Sequence, residues 1–150
     1  MIESSVTEFM AKNLIAFTPE TDIRHAIKVM VKNKISGAPV VDGNDKLIGI
    51  LSEKDCLRPI VDAYYNQLPG GSGKVKDYMS SNVKSIESTK RIIDAAYEFV
   101  NSSYKRFPVV DHTGKLLGQI SRSDALRVVS EFSPEFKLVP DSWKIREPQL

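Results

Sequence analysis

The sequence predicts an α/β (α+β) fold made of two related units, each with the order strand, helix, strand, strand, helix. The chain repeats itself at an offset of 69 positions, and 17 of the 53 residues from Val6 to Arg58 are identical to their partners. Self-similarity at a fixed period is typical of duplicated structural units. Within each copy, apolar residues first recur at helical spacing and then form two short runs separated by a turn,.

The first long helix of each unit is predicted from apolar residues at positions i, i+3, i+4, i+7 and i+8. Thr21 and Asp22 precede this stretch in the first unit and are candidates for the N-cap,. The helical positions are Ile23, Ala26, Ile27, Met30 and Val31, repeated as Ile92, Ala95, Ala96, Phe99 and Val100.

A β-hairpin is predicted after each of these helices. In the first unit, residues 39–41 and 47–51 are short apolar runs, and the Asp-Gly-Asn-Asp sequence at 42–45 between them favours a turn,. In the second unit, His112-Thr113-Gly114 takes the place of that turn. The Pro-Val-Val-Asp sequence that starts at Pro39 recurs without change at Pro108.

A second helix should begin at Ser52 and at Ser121, and the first of these helices should run toward Tyr65. The chain then divides into residues 1–66 as the first repeat, 67–74 as a Gly-rich linker, 75–132 as the second repeat and 133–150 as a C-terminal extension. The linker lacks the phosphate-loop pattern, because Val75 follows Gly73-Lys74,. The extension contains three prolines, which exclude one continuous helix, and its apolar residues leave docking and disorder both open,.

The composition is that of a globular protein, with 41% hydrophobic and 27% charged residues and a net charge of +2,. We expect a cytoplasmic protein without nucleic-acid or membrane partners, because basic residues form no stripe and no apolar run is long enough to span a bilayer. Cys56, the single cysteine, excludes an intrachain disulfide and should be a reduced thiol within a helix,. His25 and His112 lie far from other ligand types, so we expect surface histidines and no metal site,.

A hydroxyl followed three residues later by a carboxylate stands at the start of each second helix. These pairs are Ser52 with Asp55 and Ser121 with Asp124. One interpretation is a capping box that satisfies the free backbone N–H groups of the helix. The other is a ligand site, because a helix N-terminus attracts phosphate and an aspartate accepts hydrogen bonds from the two hydroxyls of a ribose. The spacing alone does not choose between them.

These two segments resemble the cystathionine-β-synthase (CBS) domain family in its tandem form, over roughly residues 6–129. The resemblance implies two pseudo-two-fold-related repeats packed sheet to sheet, with two clefts for adenosyl ligands. It implies that Asp55 and Asp124 hold a ribose, with Ser52 and Ser121 near ribose or phosphate. It also implies that the adenine slots are lined by the first strand of each repeat and the segment before each proline. Those residues are Ala16, Phe17, Thr18, Ala38 and Pro39 in one repeat, and Ser85, Ile86, Glu87, Phe107 and Pro108 in the other.

The two repeats differ where phosphates would be bound. Lys105 and Arg106 look like the basic pair that, in the γ subunit of AMP-activated kinase, reaches across the cleft to phosphates held by the other repeat. We therefore expect them opposite Asp55, although a solvated surface pair is the alternative. The cleft of Asp124 should face Ser36 and Gly37 and depend on Lys54.

The resemblance implies a regulatory module without catalytic activity or a required cofactor, which binds an adenine nucleotide. AMP, ADP and ATP are expected first, and S-adenosylmethionine and NAD remain open. We also expect a homodimer anchored by Tyr64, Tyr65, Phe132 and Trp143, and an unidentified protein that the module regulates. The alternative is a ligand-free dimerisation and interaction module in which both Ser-x-x-Asp segments serve as caps.

Overall fold

The computed structural model describes residues 2–67 and 73–131, which form two units with the predicted mixture of helices and strands. The first unit contains α1 (Ile23–Lys32), β1 (Gly37–Val41), β2 (Leu47–Ser52) and α2 (Glu53–Tyr65). The second contains β3 (Ile86–Glu87), α3 (Ile92–Val100), β4 (Arg106–Val110), β5 (Leu116–Ser121) and α4 (Arg122–Glu131). The predicted fold class and the predicted start and end of α2 are confirmed.

Both predicted hairpins form, with matching register. Pro39 lies opposite Ile50 in the antiparallel pair β1–β2, and Pro108 lies opposite Gln119 in β4–β5. A bulge occurs at the same place in each pair, after Val40 and after Val109. Both hairpins therefore bend alike, as expected of duplicated sequence.

The strand that begins each unit is complete only in the second. There β3 pairs in parallel with β4, and the Ser88 N–H donates to the Val110 carbonyl at 2.8 Å. In the first unit the same pairing is reduced to a single bridge between Phe17 and Val40. Pro19 occupies the position equivalent to Ser88 and has no N–H to donate, so the predicted first strand ends early.

The segments that precede each unit are exchanged between the two cores. Val6 is fully buried in the core of the second unit, and Val75 is fully buried in the core of the first. Backbone hydrogen bonds hold both segments in place: Ala11 and Gln119 exchange two, at 2.9 Å, and so do Ser80 and Ile50. Each hydrophobic core is therefore completed by the start of the other sequence repeat.

The two hairpin turns meet at the pseudo-two-fold axis. Lys46 and Lys115 form an antiparallel bridge, flanked by hydrogen bonds from the Leu47 N–H to the Gly114 carbonyl and from the Leu116 N–H to the Asp45 carbonyl. Asp45 and Gly114 turn the chain with φ values of 60° and 89°. The units are thus joined at their turns as well as by the exchanged segments.

The predicted caps and the single thiol lie where the sequence places them. Asp22 caps α1 by accepting from the backbone N–H groups of Arg24 and His25. Cys56 is a free, buried cysteine in α2, and burial raises the pKa of its thiol, with Asp55 and Glu53 adding to the effect. Residues 68–72 of the predicted linker and 132–150 lie outside the described residues, and with them Phe132 and Trp143.

Gly49 and Gly118 are required by the exchange, because each exchanged segment crosses a hairpin at a glycine. A Cβ atom on Gly118 would lie 2.5 Å from the Ala11 carbonyl oxygen and 2.6 Å from Met10 Sδ. On Gly49 it would lie 2.7 Å from Met79 Sδ and 3.1 Å from the Ser80 carbonyl oxygen. No side chain fits at either crossing unless the backbone of the crossing segment moves.

We predict that Gly118→Ala destabilises the protein by roughly 1 to 3 kcal/mol, the usual cost of overpacking, because the added methyl group meets backbone. Urea unfolding measures the change. Gly43→Ala is the matched control, since a Cβ atom there meets nothing within 4 Å. Equal stability losses in the two variants would contradict the close crossing.

Candidate functional site

A cleft of about 460 Å³ lies between the two units and brings together residues distant in sequence. The first unit contributes the end of β2 and the start of α2, and the second contributes the start of β4 and the chain that leads into β3. The lining residues are Ser36, Gly37, Ala38, Ile50, Ser52, Asp55, Ser80, Asn82, Val83, Lys84, Ser103, Tyr104, Lys105, Arg106, Pro108 and Gln119.

Ser52 and Asp55 form a complete capping box at the start of α2. The Asp55 N–H donates to Ser52 Oγ at 3.2 Å, and the Ser52 N–H donates to Asp55 Oδ2 at 3.0 Å. Within residues 2–67 and 73–131, the ion-pair partner of the other carboxylate oxygen, Oδ1, is Arg58 at 3.8 Å, which is too long for a hydrogen bond,. The cap therefore fixes the carboxylate and leaves one oxygen free to accept hydrogen bonds.

Ser121 and Asp124 repeat this box at the start of α4, with one difference. The Ser121 N–H donates to Asp124 Oδ2 at 2.9 Å, and the Asp124 N–H donates to Ser121 Oγ at 3.1 Å. Here, however, Arg127 Nη2 donates to Oδ1 at 2.9 Å. The second carboxylate is thus already engaged on both oxygens.

The cleft at Asp55 carries more positive than negative charge. Lys84, Lys105 and Arg106 line it together with the single carboxylate of Asp55. Lys84 already has partners, because its Nζ is 2.7 Å from Glu98 Oε2 and 5.8 Å from the centre of the Phe107 ring. No ion pair holds the exposed side chains of Lys105 and Arg106 among residues 2–67 and 73–131. They are the cations available to an anionic ligand.

Of the ten predicted adenine-slot residues, two line this cleft, Ala38 and Pro108. The side chains of Phe17, Ile86 and Phe107 belong to the hydrophobic cores, where Phe107 stacks on Phe99 with ring centres 4.7 Å apart. Only their backbone atoms are left for a ligand, because their side chains fill the protein interior. Ser85 and Glu87 border a separate surface depression next to α3.

The cleft at Asp55 also includes residues that the sequence placed opposite Asp124. Ser36 and Gly37 line it, because Gly37 pairs with Ser52 across β1–β2. Lys54, which was expected to serve the Asp124 cleft, is exposed on the first turn of α2, and this role stays a prediction. The remaining predicted residues Ala16, Thr18 and Pro39 are absent from the lining of the Asp55 cleft, whereas Ala38 and Pro108 are part of it.

Sequence reasoning missed the wall formed by Ser80, Asn82, Val83 and Lys84. This wall exists because the exchanged segment passes from the first unit's core into β3. One signal could have indicated it: Asn82 is identical to its repeat partner Asn13. In the part of the chain that the structure describes, no group of His, Cys, Asp and Glu side chains could hold a metal ion, and no helix could cross a membrane.

Comparison with known proteins finds the same pair of repeats. The CBS domain model matches residues 6–62 and 75–131. The chain is 32% identical over 148 residues to the CBS domain-containing protein CBSX1 of Arabidopsis thaliana chloroplasts, with 82% of this chain covered. It spans 63% of the length of that protein, and 44% and 39% of two matching proteins from Methanocaldococcus jannaschii.

Solved structures give a similar result. The crystal structure of CBSX2, from Arabidopsis thaliana, in complex with AMP is 30% identical and superposes with a TM-score of 0.73 over 85% of this chain and 96% of that one. The CBS domain pair of protein MJ0100, solved with 5′-methylthioadenosine and S-adenosyl-L-methionine, has a TM-score of 0.68 over 85% of this chain and 97% of that one. At 22% identity it shows a common fold.

We predict that Ser52→Ala costs about 1 kcal/mol of stability, because it removes the oxygen that caps α2. Asp55→Ala should cost a similar amount, whereas Asp55→Asn should cost less, since an amide oxygen still accepts from the Ser52 N–H. Chemical denaturation of the three variants measures this. If Asn and Ala at position 55 were equally destabilising, Asp55 would not act as a cap through its acceptor oxygen.

Proposed function

Because the chain belongs to the CBS domain family, we propose that it is a regulatory module that binds an adenosyl ligand, with an adenine nucleotide first, in the cleft at Asp55. Ligand binding would change how the module interacts with the protein it regulates. We propose no catalytic reaction for the module. The observation that carries the proposal is one cleft lined both by a carboxylate with an oxygen outside the cap and by two cations without an ion pair among the described residues.

The cleft offers suitable groups for both the ribose and the phosphates of a nucleotide. Ribose hydroxyls donate hydrogen bonds, and Asp55 Oδ1 is a fixed acceptor for them,. Arg106 offers a planar fork and Lys105 a mobile ammonium, both suited to phosphate oxygens. The cleft volume of about 460 Å³ falls within the range of roughly 300 to 1,000 Å³ that is typical of small-molecule sites,.

Similarity supports the ligand class. CBSX2, 30% identical to this chain, was solved with AMP. AMP, ADP and ATP all present a ribose and phosphates, so each suits the cleft at Asp55. S-adenosylmethionine and NAD share the adenosyl group and stay in the test as comparison ligands. The Asp124 site is proposed as a second, weaker site, because a ribose there would have to share or compete with Arg127 for Oδ1,.

The rival proposal is a ligand-free dimerisation and interaction module. Both Ser-x-x-Asp pairs form complete caps, which explains their sequence without any ligand. Exposed aromatic side chains at the end of α2, Tyr64 and Tyr65, also favour a protein partner,. We propose a homodimer in either case, so the two proposals differ only in nucleotide binding.

We predict that AMP or ATP raises the melting temperature. A ligand that binds only the folded state, at a hundredfold excess over its Kd, adds about 2.7 kcal/mol to the free energy of unfolding.

We also predict that Asp55→Asn weakens nucleotide binding by about ten- to a hundredfold, since hydrogen bonds to a charged acceptor contribute about 1.5 to 3 kcal/mol. Thermal shift and calorimetric titration measure both effects.

Asp62→Asn is the matched control, because Asp62 lies on the same helix and is not part of the cleft lining. An unchanged melting temperature with every adenosyl compound at millimolar concentration would favour the ligand-free module.

We further predict that Arg106→Ala weakens AMP binding about tenfold and adenosine binding much less, because a charge-assisted contact to phosphate is lost. Lys46→Ala, at the hairpin turn, removes a cation outside the cleft lining and should change neither. Equal losses for AMP and adenosine would assign Arg106 to packing and remove it from phosphate binding.

A further inference from the structure

Both units expose an apolar helical face built from equivalent residues. On the first unit Val31 and Leu57 are 73% and 59% exposed, and their repeat partners Val100 and Leu126 on the second are 84% and 69% exposed. A groove of about 480 Å³ runs between α1 and α2, lined by apolar residues such as Ile27 and Ile60. Exposed apolar patches of this kind mark interaction sites.

The pairs of helices that carry these two faces have net charges of opposite sign. Helix α1 carries Arg24, Lys28 and Lys32 and no acid, whereas α3 carries Asp94 and Glu98 and no base. Helices α1 and α2 together have five basic and three acidic residues, a net charge of +2. Helices α3 and α4 together have two basic and four acidic residues, a net charge of −2. The repeats have thus kept a common apolar pattern and diverged in charge.

The acids of α3 remain accessible although each has a neighbour. Asp94 pairs with Arg91 and Glu98 with Lys84, yet the two acidic side chains are still 35% and 38% exposed. A carboxylate has about four acceptor positions, so it can take a further cation. For the three cations of α1, no ion-pair partner occurs within residues 2–67 and 73–131.

We propose that two copies of this chain associate head to tail, so that the α1–α2 face of each copy lies on the α3–α4 face of the other. The inference rests on the homodimer of the proposed function and adds its orientation. The apolar pattern is the same on both faces and fits either orientation. Charge decides between them, because a head-to-head dimer places +2 on +2 and −2 on −2, whereas a head-to-tail dimer pairs opposite signs twice.

The test exchanges the charges of the two faces. Arg24→Glu with Lys28→Glu makes the first face −2, and Glu98→Lys with Asn101→Lys makes the second face +1 while leaving the Arg91–Asp94 cap in place. Each pair alone should raise the dimer Kd about tenfold, since like charges then meet, and both pairs in one chain should restore it. Sedimentation without ligand measures the dimer Kd of each single-face variant and of the chain that carries both pairs. Circular dichroism checks that each variant is folded.

A mixing experiment separates the two orientations without relying on absolute stability. A ¹⁵N-labelled wild-type chain is mixed with the fully exchanged chain, and native mass spectrometry gives the mixed-dimer fraction. In a head-to-tail arrangement the mixed dimer places like charges together. Its share of all dimers therefore falls below the one half that random pairing would give. A mixed dimer above one half would overturn the orientation and leave the homodimer in place. A monomer at every concentration would overturn the homodimer and this inference together, while nucleotide binding would still be judged by the thermal-shift test.

Discussion

The close crossing of each exchanged segment over the opposite hairpin is the contact on which the rest of the structure depends. Without a side chain at Gly49 or Gly118, backbone lies against backbone, and two hydrogen bonds form at each crossing. The crossing buries Val6 and Val75 in the cores of the opposite units. It also leads the chain from Ser80 to Lys84 past the end of β2, where it becomes one wall of the cleft. The burial of these two valines and the wall of the cleft therefore both follow from the crossing.

The capping and ligand-binding interpretations of the Ser-x-x-Asp segments are compatible in this structure. The cap uses Asp55 Oδ2 and the Ser52 hydroxyl, which holds the carboxylate in one orientation against the helix. Oδ1 takes no part in the cap and is held in place with the rest of the side chain, which lines the cleft. A group that is already ordered loses less conformational entropy on binding, so the cap prepares the acceptor that the proposed ligand needs.

Much of this fold could be predicted from the sequence, because local rules determine it. The helical spacing from Ile23 and the turn at Asp42 each depend on near neighbours in the chain, and the offset of 69 positions is found by comparing the sequence with itself. The exchange could not be predicted, because it depends on which core Val6 and Val75 enter, and both cores accept valine. The early end of the first strand depends on one missing N–H at Pro19, which matters only once its partner strand is known,. At the site, the basic pair and the aspartate are predicted from the family resemblance, whereas Asn82 and Lys84 reach the cleft only through the exchange.

The unequal surroundings of the two aspartates have a consequence for the dose response of such a module. Arg127 bonds to Asp124 Oδ1, whereas Arg58 stays 3.8 Å from Asp55. If both sites take the same nucleotide, the Asp55 site fills first, because at the Asp124 site the ribose competes with Arg127 for Oδ1. Occupancy would then rise in two steps along a concentration axis, and one chain could distinguish scarce, moderate and abundant nucleotide. A duplicated domain in which one ion-pair distance differs between the copies would thus act as a three-level sensor.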